Sequence, residues 1–186
     1  MPVTRSTFVS ADRLPGWLER FAAGNGELTL TPEHGGLHLL AANGTEADLL
    51  APWPDDGRPG RGSNDVERLV SLAGQSRTLG IVLLRRGGFA VGVARDGVLL
   101  ASKAGSRYVQ SRTAEQAARI FAEHPPEYLV FGGDRPLLEV LAREPVFRPW
   151  SALARLRFLD VQDPKAAALA KAAKDAASVF IRISVP

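Results

Sequence analysis

A basic segment in the middle of the chain carries the residue types best suited to bind a polyanion. Its candidate contacts are three cations, one aromatic ring and one amide within ten positions: Lys103, Arg107, Tyr108, Gln110 and Arg112. Long cationic side chains bind phosphate oxygens, and an aromatic ring can stack on an unpaired base. The pattern therefore predicts an RNA-binding site made of these five residues. An open alternative is that the basic residues only decorate a sheet edge, where they block edge-to-edge aggregation.

The charge along the chain is uneven, although the formal net charge is only +3. Residues 1–60 contain four basic and eight acidic residues, whereas residues 85–119 contain seven basic and two acidic residues. A basic centre that follows an acidic first third indicates that one surface meets a polyanion. The alternative is that these charges form a scattered, solvated face.

The composition excludes several classes of protein. With 186 residues, 45% apolar and 23% charged, the chain is long and apolar enough for an ordinary globular core. It has no cysteine, which excludes a disulfide framework, a thiolate nucleophile and a thiolate metal site. No apolar run reaches the roughly 20 residues that span a bilayer, and the N-terminus lacks the apolar segment of a secretory signal. We therefore expect a soluble, cytoplasmic protein.

Common catalytic motifs are absent from the sequence. A metal-dependent nuclease requires carboxylates that converge from neighbouring strands, but the later acidic residues stand in turns or at strand ends: Asp96, Asp134, Asp160 and Asp163. The three histidines, His34, His38 and His124, have no Gly-x-Ser-x-Gly motif beside them and are expected to be surface or half-buried polar residues. Neither a Walker loop nor a GxGxxG motif is present. The sequence thus predicts no metal, no cofactor and no identifiable catalytic residue.

Apolar runs and turn signals predict two parts. Residues 1–62 form an N-terminal α/β accessory segment with a helix over 11–23 and the strands ELTLT and GLHLLAA. A proline- and glycine-rich linker over 51–65 spans the boundary to the next part. Residues 63–186 form the core domain, which opens with a helix over 66–73 capped by Ser63 or Asn64.

The core domain is predicted to begin its sheet with three antiparallel strands, TLGIVLLRR, GFAVGVAR and GVLLASK. Helices over 113–123 and 135–143 and an alanine-rich helix that ends at 177 then alternate with the strands EYLVF, ARLRFLDV and SVFIRISV. Because parallel strands require crossover helices, this order predicts a mixed sheet with helices on its faces. It is the α+β arrangement of a ribonuclease H-like core.

The motif GSRYVQSRTA at residues 105–114, with the later segments FGGDRPLLEVL and RFLDVQDP, resembles the bacterial, largely actinobacterial, members of the VLRF release-factor clade. That clade is similar to the catalytic domain of eukaryotic peptide-chain release factors and to the peptidyl-tRNA hydrolase of ribosome quality control. The resemblance covers residues 78–186. It implies a peptidyl-tRNA hydrolase of ribosome rescue and translation termination that releases nascent chains. The implied partners are the large ribosomal subunit, peptidyl-tRNA and ribosomal RNA, and a monomer is expected.

The sequence departs from the family pattern directly after this motif. The family implies a mobile, glycine-rich loop whose glutamine positions the attacking water, with a backbone amide that stabilises the oxyanion. Here Ala114 continues directly into Glu115 and Gln116 without a glycine pair or a Gly-x-x-Gln. Gln116 is expected to be a solvated helical residue, and the catalytic residue stays unknown. Three explanations are open: an omitted loop, a trimmed protein, or a natural member that binds without hydrolysing.

Two other functions are compatible with the same residues. The chain can be a non-catalytic ribosome- or RNA-binding module with the same fold. It can also be a protein-interaction domain that uses Trp17, Trp53 or Trp150 as an anchor, although tryptophans more often fill a core.

Overall fold

The computed structural model describes residues 2–186, which form both strands and helices. The strands, in chain order, are β1 (Val3–Val9), β2 (Leu28–Glu33), β3 (Gly36–Ala41), β4 (Glu46–Leu50), β5 (Thr78–Arg85), β6 (Gly88–Arg95), β7 (Val98–Gly105), β8 (Tyr128–Gly133) and β9 (Val179–Val185). The α-helices are α1 (Leu14–Asn25), α2 (Asp65–Ala73), α3 (Gln110–Glu123), α4 (Arg135–Ala142), α5 (Arg148–Ser151) and α6 (Ala166–Ala176). Short 3-10 helices at Ala11–Arg13 and Pro145–Phe147 precede α1 and α5. Among the helices of the described residues, none has the length and apolar character that crossing a bilayer requires.

One of the two units into which the chain divides combines Met1–Gln75 with Ala177–Pro186. Its sheet has the strand order β1-β9-β4-β3-β2, and every neighbouring pair is antiparallel. Helix α1 contributes Leu14, Leu18 and Phe21 to the core, because a spacing of three and four residues places them on one side of the helix. Helix α2 contributes Leu69 and Ala73 to the same core.

The last strand belongs to this first unit, and the sequence prediction that it ends the core domain is wrong. Strand β9 pairs with β1 and β4. Its residues Val179, Ile181 and Ile183 are buried, whereas Arg182 between them is exposed. This alternation suits an antiparallel sheet with one solvated face, while a buried parallel strand carries an unbroken apolar run. Because α2 also packs in the first unit, the division of the chain falls after residue 75, not after residue 62.

The second unit, Ser76–Ala176, is built on a mixed sheet with the order β7-β6-β5-β8. The predicted meander is confirmed, since β5, β6 and β7 pair antiparallel through short turns. Strand β8 lies parallel to β5, after α3 has carried the chain across the sheet. Helix α3 covers the face that carries Val91 and Val93. Helix α6 covers the opposite face, where Leu169 packs closely on Gly92.

The predicted strand ARLRFLDV, residues 154–161, does not form a continuous strand. It makes two isolated parallel bridges to β8, Leu129 with Arg155 and Gly132 with Leu159. The two bridges are three residues apart along β8 but four residues apart along the segment, and one extra residue of this kind interrupts a ladder as a β-bulge does. The mixed α+β class is therefore confirmed, but this segment extends the sheet edge only locally.

Candidate nucleic-acid interface

The five predicted RNA contacts lie where β7 ends and α3 begins. Lys103 is on β7, Arg107 is in the bend that follows, and Arg112 is the third residue of α3. The chain passes close to its neighbour before this bend, because a Cβ on Gly105 would lie only 2.6 Å from the ring of Phe89. A glycine is therefore required at the point where the strand turns toward the helix.

Three of the five residues are cations that are free to bind an external anion. Lys103, Arg107 and Arg112 are exposed. Within residues 2–186, none of their charged groups has a carboxylate at ion-pairing distance. Lys103 is directly opposite Val91 on β6, and side chains of directly paired residues point to the same face, which here is the face that α3 covers. The sequence-predicted cations are thus available, as an anion site requires.

A fourth cation is added by the turn between β5 and β6. The pairing of Arg85 with Gly88 and of Phe89 with Gly105 places this turn at the same end of the sheet as the end of β7. Arg86 is exposed in the turn, whereas the Nε of Arg85 donates a hydrogen bond to the carbonyl of Val161 at 2.9 Å. We call the exposed set the cationic rim: Arg86, Lys103, Arg107 and Arg112. The strand register, which the sequence leaves open, decides that Arg86 belongs to it.

The other two predicted contacts make internal contacts. The side-chain amide of Gln110 donates a hydrogen bond to the carboxylate of Glu144, at the start of the 3-10 helix Pro145–Phe147. The ring of Tyr108 packs against the core of the second unit, and its hydroxyl is buried without a hydrogen-bond partner in the described residues. Burial, and then the negative charges of Glu144 and Asp134, raise the pKa of Tyr108. Both side chains therefore anchor the start of α3 and leave the neighbouring cations exposed.

Glu144 is not predicted from the sequence, although the structure makes it the partner of Gln110. The two residues are 34 positions apart, and no spacing rule connects them. Only the packing of α3 against the 3-10 helix Pro145–Phe147 brings them together.

Helix α3 runs without interruption through the position where the family loop is expected. Ala114 and Ala117 are fully buried against the sheet, on either side of Glu115. The carboxamide oxygen of Gln116 is buried without a partner in residues 2–186, and the residue as a whole is half-buried, so Gln116 is less solvated than expected. The expected catalytic loop therefore has no counterpart here, and regular helix occupies its position.

No group of three metal-ligating side chains converges at the cationic rim within the described residues. The grouping that the structure does form lies in the first unit and consists of Glu33, His38 and Asp48. The chemistry that the rim itself offers is the binding of phosphate oxygens by exposed cations.

Comparison with known proteins gives a family match that covers the second unit and reaches into β9. A family model described as the Actinobacteria/chloroflexi VLRF1 release factor matches residues 77–115 and 112–182, which is more than half of the chain. Among solved structures, the Vms1 mitochondrial localization core is similar over 82% of this chain and 89% of that chain, with a TM-score of 0.48 and 10% identity. Archaeoglobus fulgidus Pelota is similar over 94% of this chain and 63% of that chain, with a TM-score of 0.38 and 13% identity. No curated protein matches the chain. The two segments of the family match overlap at residues 112–115, where α3 replaces the expected loop.

Proposed function

The chain belongs to the Actinobacteria/chloroflexi VLRF1 release factor family, and we propose that it acts in ribosome rescue by binding the large ribosomal subunit through the cationic rim. The observation that carries the proposal is that Lys103, Arg107 and Arg112 are exposed and unpaired with carboxylates within residues 2–186. Such cations bind RNA phosphates and release condensed counterions, which supplies affinity without sequence readout. Ribosomal RNA and peptidyl-tRNA are the proposed contacts, a monomer is the proposed state, and the cytoplasm is the proposed location.

The contacts behind the rim support this binding role. The hydrogen bond between Gln110 and Glu144 and the packing of Tyr108 hold the first turn of α3 in place. Arg107 and Arg112 on either side of this anchor then project from fixed backbone positions. Preorganised contacts lose less conformational entropy on binding, so a fixed rim binds more tightly than the same cations on a flexible tail.

The meander followed by a parallel strand also supports the ribonuclease H-like relationship of the second unit.

Hydrolysis of peptidyl-tRNA is the activity that the family resemblance implies. It requires a group that positions water at the ester carbonyl and a donor that stabilises the oxyanion. A mobile loop between Ala114 and Glu115 would supply both, but α3 crosses this junction as a regular helix and its alanines are packed against the sheet. We therefore infer that the 186-residue chain binds the subunit without hydrolysing the ester, and that hydrolysis belongs to family members with a loop at this position.

A release assay separates the two functions. Large subunits that carry radiolabelled peptidyl-tRNA are incubated with the 186-residue chain, and both co-sedimentation and released peptide are measured. Puromycin serves as the control that the substrate is competent. We expect co-sedimentation with release no faster than in buffer. Faster release would establish the hydrolase and overturn binding without hydrolysis, while absence of co-sedimentation would overturn both functions.

A further inference from the structure

A second cluster of charged side chains lies on the sheet of the first unit and has no role in the proposed ribosome binding. The strand register aligns one polar residue from each of the five strands: Ser6, Arg182, Asp48, His38 and Thr31. Directly paired residues point to the same face. The alternate residues of these strands, such as Leu39, Leu49 and Ile181, form the core, so this polar row lies on the opposite face of the sheet.

The distances within the cluster are short. Nδ1 of His38 lies 2.8 Å from Oδ1 of Asp48, and its Nε2 lies 3.4 Å from Oε2 of Glu46. A guanidinium nitrogen of Arg182 donates to Oδ2 of Asp48 at 3.0 Å. Glu33, His38 and Asp48 each offer one ligand atom, and these three atoms lie within 4.8 Å of one another. The cluster thus brings one imidazole and two carboxylates to a common point.

We propose that Glu33, His38 and Asp48 form a binding site for a divalent transition-metal ion, for which Zn²⁺ is the best fit. One imidazole nitrogen and two carboxylate oxygens are a donor set that Zn²⁺ accepts, with water as the fourth ligand, whereas Mg²⁺ prefers oxygen ligands alone. Ligand atoms on a tetrahedral zinc ion lie roughly 3.4 Å apart. Glu33 is exposed on the edge strand β2, so a rotation of its side chain closes the remaining distance.

The surroundings of the three ligands match those of a metal site. When the ion binds Nδ1 of His38, the ring proton is carried by Nε2, which faces the carboxylate of Glu46. A carboxylate that accepts a hydrogen bond from the second ring nitrogen orients a metal-bound histidine. Arg182 orients Asp48 by donating a hydrogen bond to its carboxylate. The cluster also carries excess negative charge when His38 is neutral, because it contains three carboxylates and one guanidinium, those of Glu33, Glu46, Asp48 and Arg182. This charge attracts a cation.

The sequence does not predict this site, because it predicts no metal and a surface or half-buried polar role for His38. The spacing of Glu33, His38 and Asp48 matches no metal motif. Only the antiparallel register of β2, β3 and β4 brings the three side chains together.

The test uses the full chain with its purification tag removed and its metal stripped by a chelator. Isothermal titration with ZnCl₂ should show one ion bound per chain, and titration with MgCl₂ at the same concentration should show none. His38→Ala should abolish zinc binding. The matched control is His34→Ala, which removes an exposed histidine in the turn between β2 and β3 and should leave binding unchanged.

Two further measurements keep the proposal open to refutation if His38→Ala proves to be poorly folded. Glu33→Gln changes an exposed side chain, and loss of one ligand should weaken zinc binding about 10-fold or more. Cobalt(II) added to the wild-type chain should give visible d–d absorption bands that Glu33→Gln alters and His34→Ala does not. The proposal is overturned if the wild-type chain binds no zinc, if His38→Ala binds zinc like the wild type, or if both histidine variants lose binding equally.

Discussion

Removal of two cations from the rim should weaken ribosome binding and also change its dependence on salt. The perturbation is Arg107→Ala with Arg112→Ala. Both side chains are exposed, and within the described residues neither makes an ion pair. Their loss should therefore leave the free energy of unfolding within about 0.5 kcal/mol of the wild-type value, so that any change in affinity reports on contacts with RNA.

The expected magnitude follows from the number of phosphates that the rim neutralises. Each phosphate contact contributes about 0.7 to 0.9 to the slope of log K against log salt concentration, so the double variant should lose roughly 1.4 to 1.8 from that slope. An exposed ion pair is worth about 1 kcal/mol at most, and two such pairs correspond to a roughly 30-fold weaker Kd at low salt. The loss should shrink as salt rises, because the wild type then loses its own phosphate contacts.

The assay is co-sedimentation of labelled chain with large ribosomal subunits across about 50 to 200 mM salt. The matched control is Arg13→Ala with Arg20→Ala. These two cations are also exposed and outside any described ion pair, but they lie in the first unit. Both double variants lower the net charge by the same amount. If the control reduced affinity and salt slope as strongly as the rim variant, net charge would explain the binding and the rim would not be the site.

Three further outcomes are expected in urea unfolding and in the same binding assay. Gly80→Ala should lower the free energy of unfolding by about 1–3 kcal/mol, since the new Cβ would lie 2.7 Å from a buried phenylalanine ring of α3. The control Gly87→Ala has open space around the new Cβ and should change this free energy by less than about 0.5 kcal/mol. Gln110→Ala should cost about 1–2 kcal/mol, because Glu144 loses its hydrogen-bond donor, and an unchanged value would show that this bond does not anchor α3. Tyr108→Phe should leave the free energy of unfolding unchanged or raise it by about 1 kcal/mol, because the tyrosine hydroxyl has no partner in residues 2–186. It should not affect ribosome affinity, and a loss of affinity would assign that hydroxyl to RNA binding.

Local features of the fold are predictable from the sequence because neighbouring residues create them. Asn64 caps α2 by accepting from the amide of Glu67 at 2.9 Å, and Asp134 caps α4 by accepting from Leu137 at 3.1 Å. Asp96 and its following glycine adopt positive φ angles of 55° and 75°, as the primed turn that an Asp-Gly pair between two strands favours requires. A cap or a two-residue turn depends on three or four consecutive residues, so its signal is complete within a short window.

Other elements carry too weak a local signal to be predicted. Strands β1 and β4 are not predictable, because their segments VTRSTFV and EADLL mix polar and apolar residues. The Asp-Pro pair at 163–164 is typical of a helix N-cap and first position, but helix α6 begins at Ala166, and the carboxylate of Asp163 pairs with Lys165 at 2.8 Å. The three tryptophans contribute to packing: Trp17 stacks on Phe21, Trp53 is buried, and Trp150 packs against the core of the second unit.

The sequence by itself determined the family, the meander of the second unit and the identity of the exposed cations Lys103, Arg107 and Arg112. The tertiary structure alone decided that β9 joins the first unit, that Gln110 bonds to Glu144, and that the turn between β5 and β6 adds its cation to the rim. The physical reason is the separation along the chain of the residues that interact. Helix periodicity, caps and turns are encoded within a few residues, whereas strand partners and long-range hydrogen bonds, such as that between Gln110 and Glu144 at 34 positions, depend on packing between segments that are distant along the chain.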